Sequence, residues 1–257
     1  MNLTADNYFS AEANQQYMSV SQFKSFLKCP AAALAELRGE IEHEPSESML
    51  IGSYVDSYFS NEMERFKAEN PSIFKKDGTL LAKYVKAEKI IHRIKQDEMF
   101  MSFLDGEKQT ILTGSIEDVL FKVKCDALHS DKIVDLKVMK DMGTVYDENE
   151  CARVPFWEFY GYHIQAACYQ SIVEQCTGKR LPFYLAVATK QDGCDIAIIE
   201  IVQSDIDRAM ETVRQNIRLF DAMKQGIVDA PGCGDCPYCR QHKKLTEIIK
   251  SDSPLFM

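Results

Sequence analysis

No stretch of this 257-residue chain stays apolar for the roughly 20 residues that a membrane span needs. Its first residues, Met1-Asn2-Leu3-Thr4-Ala5-Asp6, carry neither a basic start nor an apolar h-region, so no secretory signal is visible. It also has no internal repeat, no low-complexity tract and no Pro/Gly/Ser linker long enough to divide it. A single domain over 1–257 is expected, with a core at about 50–225 and attached ends. Positive charge is in deficit, with 30 Lys and Arg against 39 Asp and Glu for a net charge of −9. That balance lowers the expectation of nucleic-acid binding without saying where the cations lie. Nine cysteines are an odd count in a chain with no export signal. The expectation is a reduced, cytoplasmic protein without a disulfide framework. With 46% apolar and 27% charged residues, the chain has enough apolar mass to bury a core and is not disordered.

Helical spacing comes first. It covers 19–39, with Ser21 as a possible N-cap and a break at Pro30, then 49–69 up to Asn70-Pro71, then 80–99. Residues 109–138 read as two or three strands, broken at Gly114 and at His129-Ser130-Asp131. Trp157 to Cys176 is helical, 182–190 and 194–202 are strands turning at Gly193, and Ser204 to Gln225 is the strongest helix. This order predicts an α/β protein with a central mixed sheet flanked by helices.

The chemistry concentrates between Val123 and Lys137. A hairpin turning at Ser130-Asp131 places Asp126 directly across from Asp135, and Lys137 on the same face of its strand as Asp135. Opposed carboxylates repel, and a hard divalent cation such as Mg²⁺ or Mn²⁺ would offset that cost. A lysine beside the metal could orient a water or balance charge on a phosphoryl oxygen. Without a cation, the same residues are exposed strand positions and a solvated lysine.

An Asp on one strand followed by Asp135-Leu136-Lys137 on the next resembles the PD-(D/E)XK nucleases. Gln165-Ala166-Ala167-Cys168-Tyr169 on the following helix resembles the Gln-x-x-x-Tyr motif of their RecB-like branch. Residues i and i+4 share a helix face, so Gln165 and Tyr169 can point together. Phe159-Tyr160-Gly161-Tyr162-His163-Ile164-Gln165 is similar to RecE-type phage recombination exonucleases. The resemblance implies a restriction-endonuclease-like core and a metal-dependent exonuclease that digests double-stranded DNA ends. Asp126 and Asp135 would be its metal ligands, Lys137 the catalytic lysine, and Gln165 and Tyr169 site residues. By resemblance alone come 5′→3′ polarity, a homo-oligomeric ring, a single-strand annealing partner and a bacterial host cell. Relatives often carry Gly-x-x-x-His on an early helix. Here the segment is Gly52-Ser53-Tyr54-Val55-Asp56, which makes Asp56 a candidate third oxygen ligand. Glu117 and Asp118 are further acidic candidates. Other readings are the nuclease component of a helicase–nuclease, an adaptation-type nuclease, or a non-catalytic DNA-binding or assembly protein that keeps the fold.

Cys233, Cys236 and Cys239 form C-x₂-C-x₂-C on a Gly/Pro-rich segment, a metal-ligand spacing. Cys29, before Pro30, is the candidate fourth ligand. In AddB-like relatives a lone N-terminal Cys-Pro joins three C-terminal cysteines around a [4Fe–4S] cluster, and a Cys₄ zinc site is the rival. Cys125, Cys151, Cys168, Cys176 and Cys194 have no ligand spacing and read as packing residues.

Overall fold

Side-chain caps start the early helices. Ser10 Oγ accepts the Ala13 N–H, Ser19 Oγ that of Gln22 and Ser46 Oγ that of Met49, each satisfying an otherwise orphaned donor. They open α1 (Ala11–Gln16), α2 (Val20–Lys28) and α4 (Glu47–Phe59) in a computed structural model that describes residues 1–41, 44–148, 150–245 and 248. The α2 cap is therefore Ser19 rather than Ser21. Pro30 cannot continue α2. It takes the first position of α3 (Pro30–Leu37), leaving Cys29 extended at the joint with φ −163°. After α5 (Met63–Glu69) come α6 (Lys86–Lys95) and α7 (Glu98–Leu104), the last capped by Asp97.

The sheet follows: β1 (Glu107–Ile116), β2 (Val119–Leu128) and β3 (Ile133–Met139). A small hairpin, β4 (Thr144–Asp147) and β5 (Ala152–Pro155), leads into α8 (Phe156–Phe159) and α9 (Tyr162–Thr177). Then come β6 (Phe183–Thr189), β7 (Ile196–Ile201), α10 (Gln203–Lys224) and α11 (Pro237–Gln241). Sheet order is β1-β2-β3-β6-β7, antiparallel except for the parallel β3–β6 pair. This is the mixed, helix-flanked sheet expected from the sequence.

Each face of the sheet has its own core. Phe183, Leu185 and Val187 of β6 point to one side, where α2, α9 and α10 supply Phe23, Phe26, Ile172, Val213 and Ile217. Ala186 and Ala188 point to the other side, against Val55 of α4 and Ile90 and Ile94 of α6. Burial on both faces explains why β6 reads as a continuous apolar run rather than an alternating one. Phe121 is fully buried, and truncating such a side chain to alanine costs about 3–5 kcal/mol.

Gly114 lies inside β1 and does not end it. A Cβ there would meet Gln175 Oε1 at 2.5 Å, and that side chain bonds both the N–H and C=O of Ser115. The turn comes instead at Glu117 and Asp118, both left-handed (φ 50° and 67°), as a two-residue hairpin loop requires. Before β2, the N-terminal segment docks along the strand. The Met18 N–H donates to the Leu120 carbonyl of β2, the Lys122 N–H donates to the Met18 carbonyl, and two buried lysines hold the segment down. Lys122 Nζ donates to Tyr8 O and to Asn14 Oδ1, the latter at 2.8 Å. Lys224 Nζ donates to Tyr17 O at 2.7 Å.

Candidate active site

β2 and β3 pair in the expected register, Leu128 with Ile133 and Ala127 with Val134, but only over those two positions. The next step of that register brings Asp126 opposite Asp135. There the ladder stops, and Asp126 Oδ2 accepts the Leu136 N–H at 2.9 Å in place of a backbone carbonyl. The β1–β2 ladder also skips its pair at Asp126, where Gln109 takes a left-handed φ of 52°. Cys125 packs into one core and Ala127 into the other, so side-chain alternation breaks at this aspartate. The carboxylate thus stands where strand pairing is interrupted on both sides.

Asp135, 2% exposed, faces α9. Gln165 Nε2 donates to its Oδ1 at 2.6 Å. Its Oδ2 is faced by Lys137 Nζ at 2.5 Å and accepts no other hydrogen bond among the described residues. Tyr169, one turn along α9, donates to the Lys124 carbonyl at 3.0 Å and pins the β2 backbone two residues before Asp126. Asp56 approaches from α4, which packs on β3. Asp56, Asp126, Gln165 and Tyr169 line one cleft of about 740 Å³, whose opposite wall is the N-terminal segment with Lys24.

Charge is unbalanced here. Burial, then Asp135 and Asp56, raise the Asp126 carboxyl well above the usual carboxylate range, against the pull of Lys137 and the Leu136 N–H. Burial lifts Asp56 to about 6, with Lys137 opposing and Asp135 adding. Burial draws Lys137 down, but Asp135 and Asp126 outweigh it and leave its pKa raised. Lys24 is lowered to about 8 by burial and then by Lys137. Three carboxyls around one firmly protonated ammonium make a site short of positive charge.

The residues present suit a hard divalent cation. The donors are all oxygens, one of them on the buried Asp135, whose Oδ2 is met by the Lys137 ammonium alone among the described residues.

At the other end of α2, four thiols gather. The Sγ atoms of Cys29, Cys233, Cys236 and Cys239 lie within 4.8 Å of one another. Cys29 is 3.5 Å from Cys239 and 3.8 Å from Cys236, and Cys233 is 4.0 Å from Cys239. Backbone N–H groups aim at the sulfurs: Cys233 N–H at Cys29, Cys236 N–H at Cys233 and Cys239 N–H at Cys236. The donors from Cys236 and Asp235 draw Cys233 down to about 6, while its neighbour Cys236 is pushed up to about 12.

The model of the family described as a PDDEXK-like domain of unknown function, DUF3799, matches residues 19–242. The chain belongs to this family. A crystal structure of a Eubacterium rectale protein that bears the provisional name of exonuclease is similar throughout. It shares 40% sequence identity and a TM-score of 0.91, over 97% of each chain. A second solved structure, SSO0001, has 14% identity and a TM-score of 0.28 over 84% of this chain and 92% of that one, and it carries no argument. A comparison with curated proteins gives no match. Family and fold are thus those that the Asp-x-Lys and Gln-x-x-x-Tyr motifs implied.

Within the PDDEXK-like frame, Asp56, Asp126, Asp135, Lys137 and Gln165 converge. Tyr169 lines the same cleft but spends its hydroxyl on a backbone carbonyl. Glu117 and Asp118 do not join them. They sit at the β1–β2 turn, roughly eight residues or 26 Å along β2 from Asp126, in ion pairs with Arg218 at 3.2 and 2.8 Å. Cys151 and Cys176 are exposed rather than packed: one lies in the β4–β5 connection, the other near the solvent-facing end of α9. Lys24 and Gln109 belong to the site yet carried no sequence signal, and Tyr162 was legible only as part of the RecE-like segment, with no role of its own. Lys24 arrives from a distant helix, and Gln109 depends on a strand irregularity. Among the described residues, no helix is long and apolar enough to cross a membrane.

Proposed function

We propose that this chain is a single-domain, metal-dependent deoxyribonuclease acting on DNA ends, with Asp126 and Asp135 as the principal ligands of Mg²⁺ or Mn²⁺ and Asp56 as a third. The observation that carries this reading is the interrupted β2–β3 ladder. It leaves the buried Asp135 and the half-buried Asp126 beside one lysine, an arrangement that destabilises the metal-free fold and that a binding module has no need of. Such an ion, when bound, activates water and stabilises charge on a phosphoryl oxygen.

The chain's own groups do the rest. Gln165 fixes the Asp135 carboxylate through Oδ1 and leaves Oδ2 to the Lys137 ammonium, which an incoming cation would displace. Lys137 holds its proton firmly, so it serves as a fixed cation that orients water and balances charge on a cleaved phosphate, rather than as a base. Tyr169 holds the strand that carries Asp126. Lys24, on the cleft wall, can face a phosphate of the bound strand. The exonuclease name of the similar Eubacterium rectale protein supports action at ends. By motif resemblance alone, the proposal extends to 5′→3′ digestion by a homo-oligomeric ring, in phage-type recombination, with a single-strand annealing protein in the host cytoplasm.

For the four cysteines the proposal is a structural metal that ties the N-terminal helices to the C-terminal segment. Tetrahedral coordination at a Zn–S distance of about 2.3 Å sets sulfurs about 3.8 Å apart. Three of the spacings, at 3.5 to 4.0 Å, and the gathering of all four sulfurs within 4.8 Å support one such ion. A [4Fe–4S] cluster seats each thiolate on a different iron and spreads the sulfurs wider. This cysteine site also favours a second reading, the nuclease component of a helicase–nuclease or an adaptation-type nuclease.

The test is incubation of end-labelled linear duplex with the protein and Mg²⁺. Progressive release of label, abolished by EDTA, by Asp135→Asn and by Lys137→Ala, supports the proposal. Tight DNA binding without degradation, indifferent to those changes, would establish the non-catalytic reading instead.

A further inference from the structure

A run of aromatic rings leads outward from the carboxylate site. Innermost is Tyr162, its ring centroid 5.2 Å from Lys137 Nζ and 5.6 Å from Lys24 Nζ. The Tyr160 ring lies 6.0 Å from Tyr162, tilted by 33°, and the Phe159 ring 5.1 Å from Tyr160, edge-on at 90°. Tyr160 and Phe159 are 43% and 40% exposed, while Phe156 of the same short helix is buried in the core. Apolar side chains scattered singly on a surface need no explanation. Two exposed rings in contact, continued inward by a third that ends on the site lysine, form a path.

The posture of that path is built. The chain breaks between α8 and α9 at Gly161, which is left-handed at φ 65°. That φ favours glycine, and a Cβ there would meet Lys24 Cδ at 2.8 Å and push the lysine chain aside. Lys24 Nζ then donates to the Tyr160 carbonyl at 3.1 Å. One cation from α2 thus fixes the backbone that carries the exposed rings and also lines the cleft where the carboxylates stand.

Two lysine cations at the innermost ring, with exposed rings beyond it, match a polymer with phosphates in its backbone and flat apolar side groups. In a duplex the base faces are hidden in the stack, so only unpaired bases can use the rings. A cleft of about 740 Å³ falls in the range that encloses a drug-sized ligand, roughly one or two nucleotides and not a duplex. We propose that Tyr160 and Phe159 form a base-stacking platform for an unpaired nucleic-acid strand end. The carboxylate site then takes a single strand, and a duplex end is cut only after its terminal pairs open. This inference rests on the nuclease reading of the Asp126–Asp135 site.

The experiment measures binding by fluorescence anisotropy, with the whole protein in Ca²⁺ and oligothymidylates labelled at one end. The free end carries either normal bases or three abasic sites, and both strand polarities are used. The unmodified protein should bind the base-bearing end about tenfold tighter. Tyr160→Ala should lose that preference and leave abasic binding unchanged, and Tyr160→Trp should restore it. In Mg²⁺, duplexes with mismatched, frayed ends should be digested faster than blunt, GC-clamped ones. Equal affinity of the unmodified protein for base-bearing and abasic ends, or equal digestion of clamped and frayed ends, overturns the platform whatever the variants do. Degradation of DNA without base preference sinks this inference alone, whereas no binding and no degradation sinks it together with the nuclease reading.

Discussion

Replacing Asp56 by asparagine tests the electrostatics of the site without touching its most buried members. In the metal-free protein this carboxyl titrates at about 6, against an ordinary value of 3.8, because burial and Asp135 together outweigh Lys137. A raised carboxyl binds its proton more tightly folded than unfolded. Between about pH 4 and 6 the folded state therefore holds the extra proton, and stability falls as pH rises through that window. Above it the cost is complete, of order 3 kcal/mol at neutral pH, taking 1.36 kcal/mol per pH unit of displacement. Asp56→Asn removes the charge and keeps the shape. In EDTA at pH 7.5 the variant should therefore be the more stable protein, by up to roughly 6–12 °C at about 2–4 °C per kcal/mol. At pH 4 the two should melt together. Saturating Mg²⁺ should reverse the order, since it stabilises the protein that keeps its ligand. The assay is thermal unfolding across that pH range with and without the metal. Greater stability of the parent in EDTA at pH 7.5, or a difference independent of pH, would refute the charge-imbalance argument.

Other outcomes follow from neighbouring groups. Lys137→Ala strips the counter-ion from Asp135 and should cost about 3–5 kcal/mol in metal-free protein, as breaking a buried pair does, with DNA degradation lost. Denaturant unfolding and the end-label assay check both parts. Cys236→Ser should lower the bound metal measured by elemental analysis of purified protein. Zinc near one equivalent with no absorbance near 400 nm is expected, and a brown protein containing iron would favour the cluster instead. Burial holds Lys224, 4% exposed, at about 8 against its ordinary 10.5. The unfolded chain thus binds the extra proton between those values, so stability should rise as pH climbs from about 8 to 10.5. Lys224→Met should flatten that rise in urea melts while leaving the Tyr17 carbonyl without its donor.

What the sequence disclosed follows from which interactions are local. The register of the Asp126–Asp135 hairpin was legible because a tight turn fixes pairing and strand period fixes facing. The Gln165–Tyr169 pair was legible because four residues make one helical turn, although Gln165 alone reaches a site carboxylate. Pro30 announced its helix break, while the place of Cys29 beside residues more than 200 positions away came only from the resemblance to AddB-like relatives. Gly114 misled, because a glycine that ends a strand and one that admits a neighbouring glutamine look alike in sequence. The β4–β5 hairpin was missed because its strands are four residues each and none of their residues is buried, too short a stretch for a strand pattern to stand out. The helix expected over 49–69 divides at Ser60 into α4 and α5, and that over 80–99 into α6 and α7, because the turns between them depend on packing rather than on proline or glycine. Lys24 is the hardest case. It joins α2 to the α8–α9 junction, and its importance lies in a missing Cβ at Gly161 that no local pattern advertises.

The central claim is that Asp126 and Asp135 share a cation. Anomalous diffraction from a crystal of the protein soaked in Mn²⁺ tests it most directly. The account predicts a peak bridging carboxylate oxygens of both residues, with Asp56 nearby and the Lys137 ammonium moved off Asp135 Oδ2. An empty gap between the two carboxylates at saturating Mn²⁺, with the lysine still in place, would contradict it.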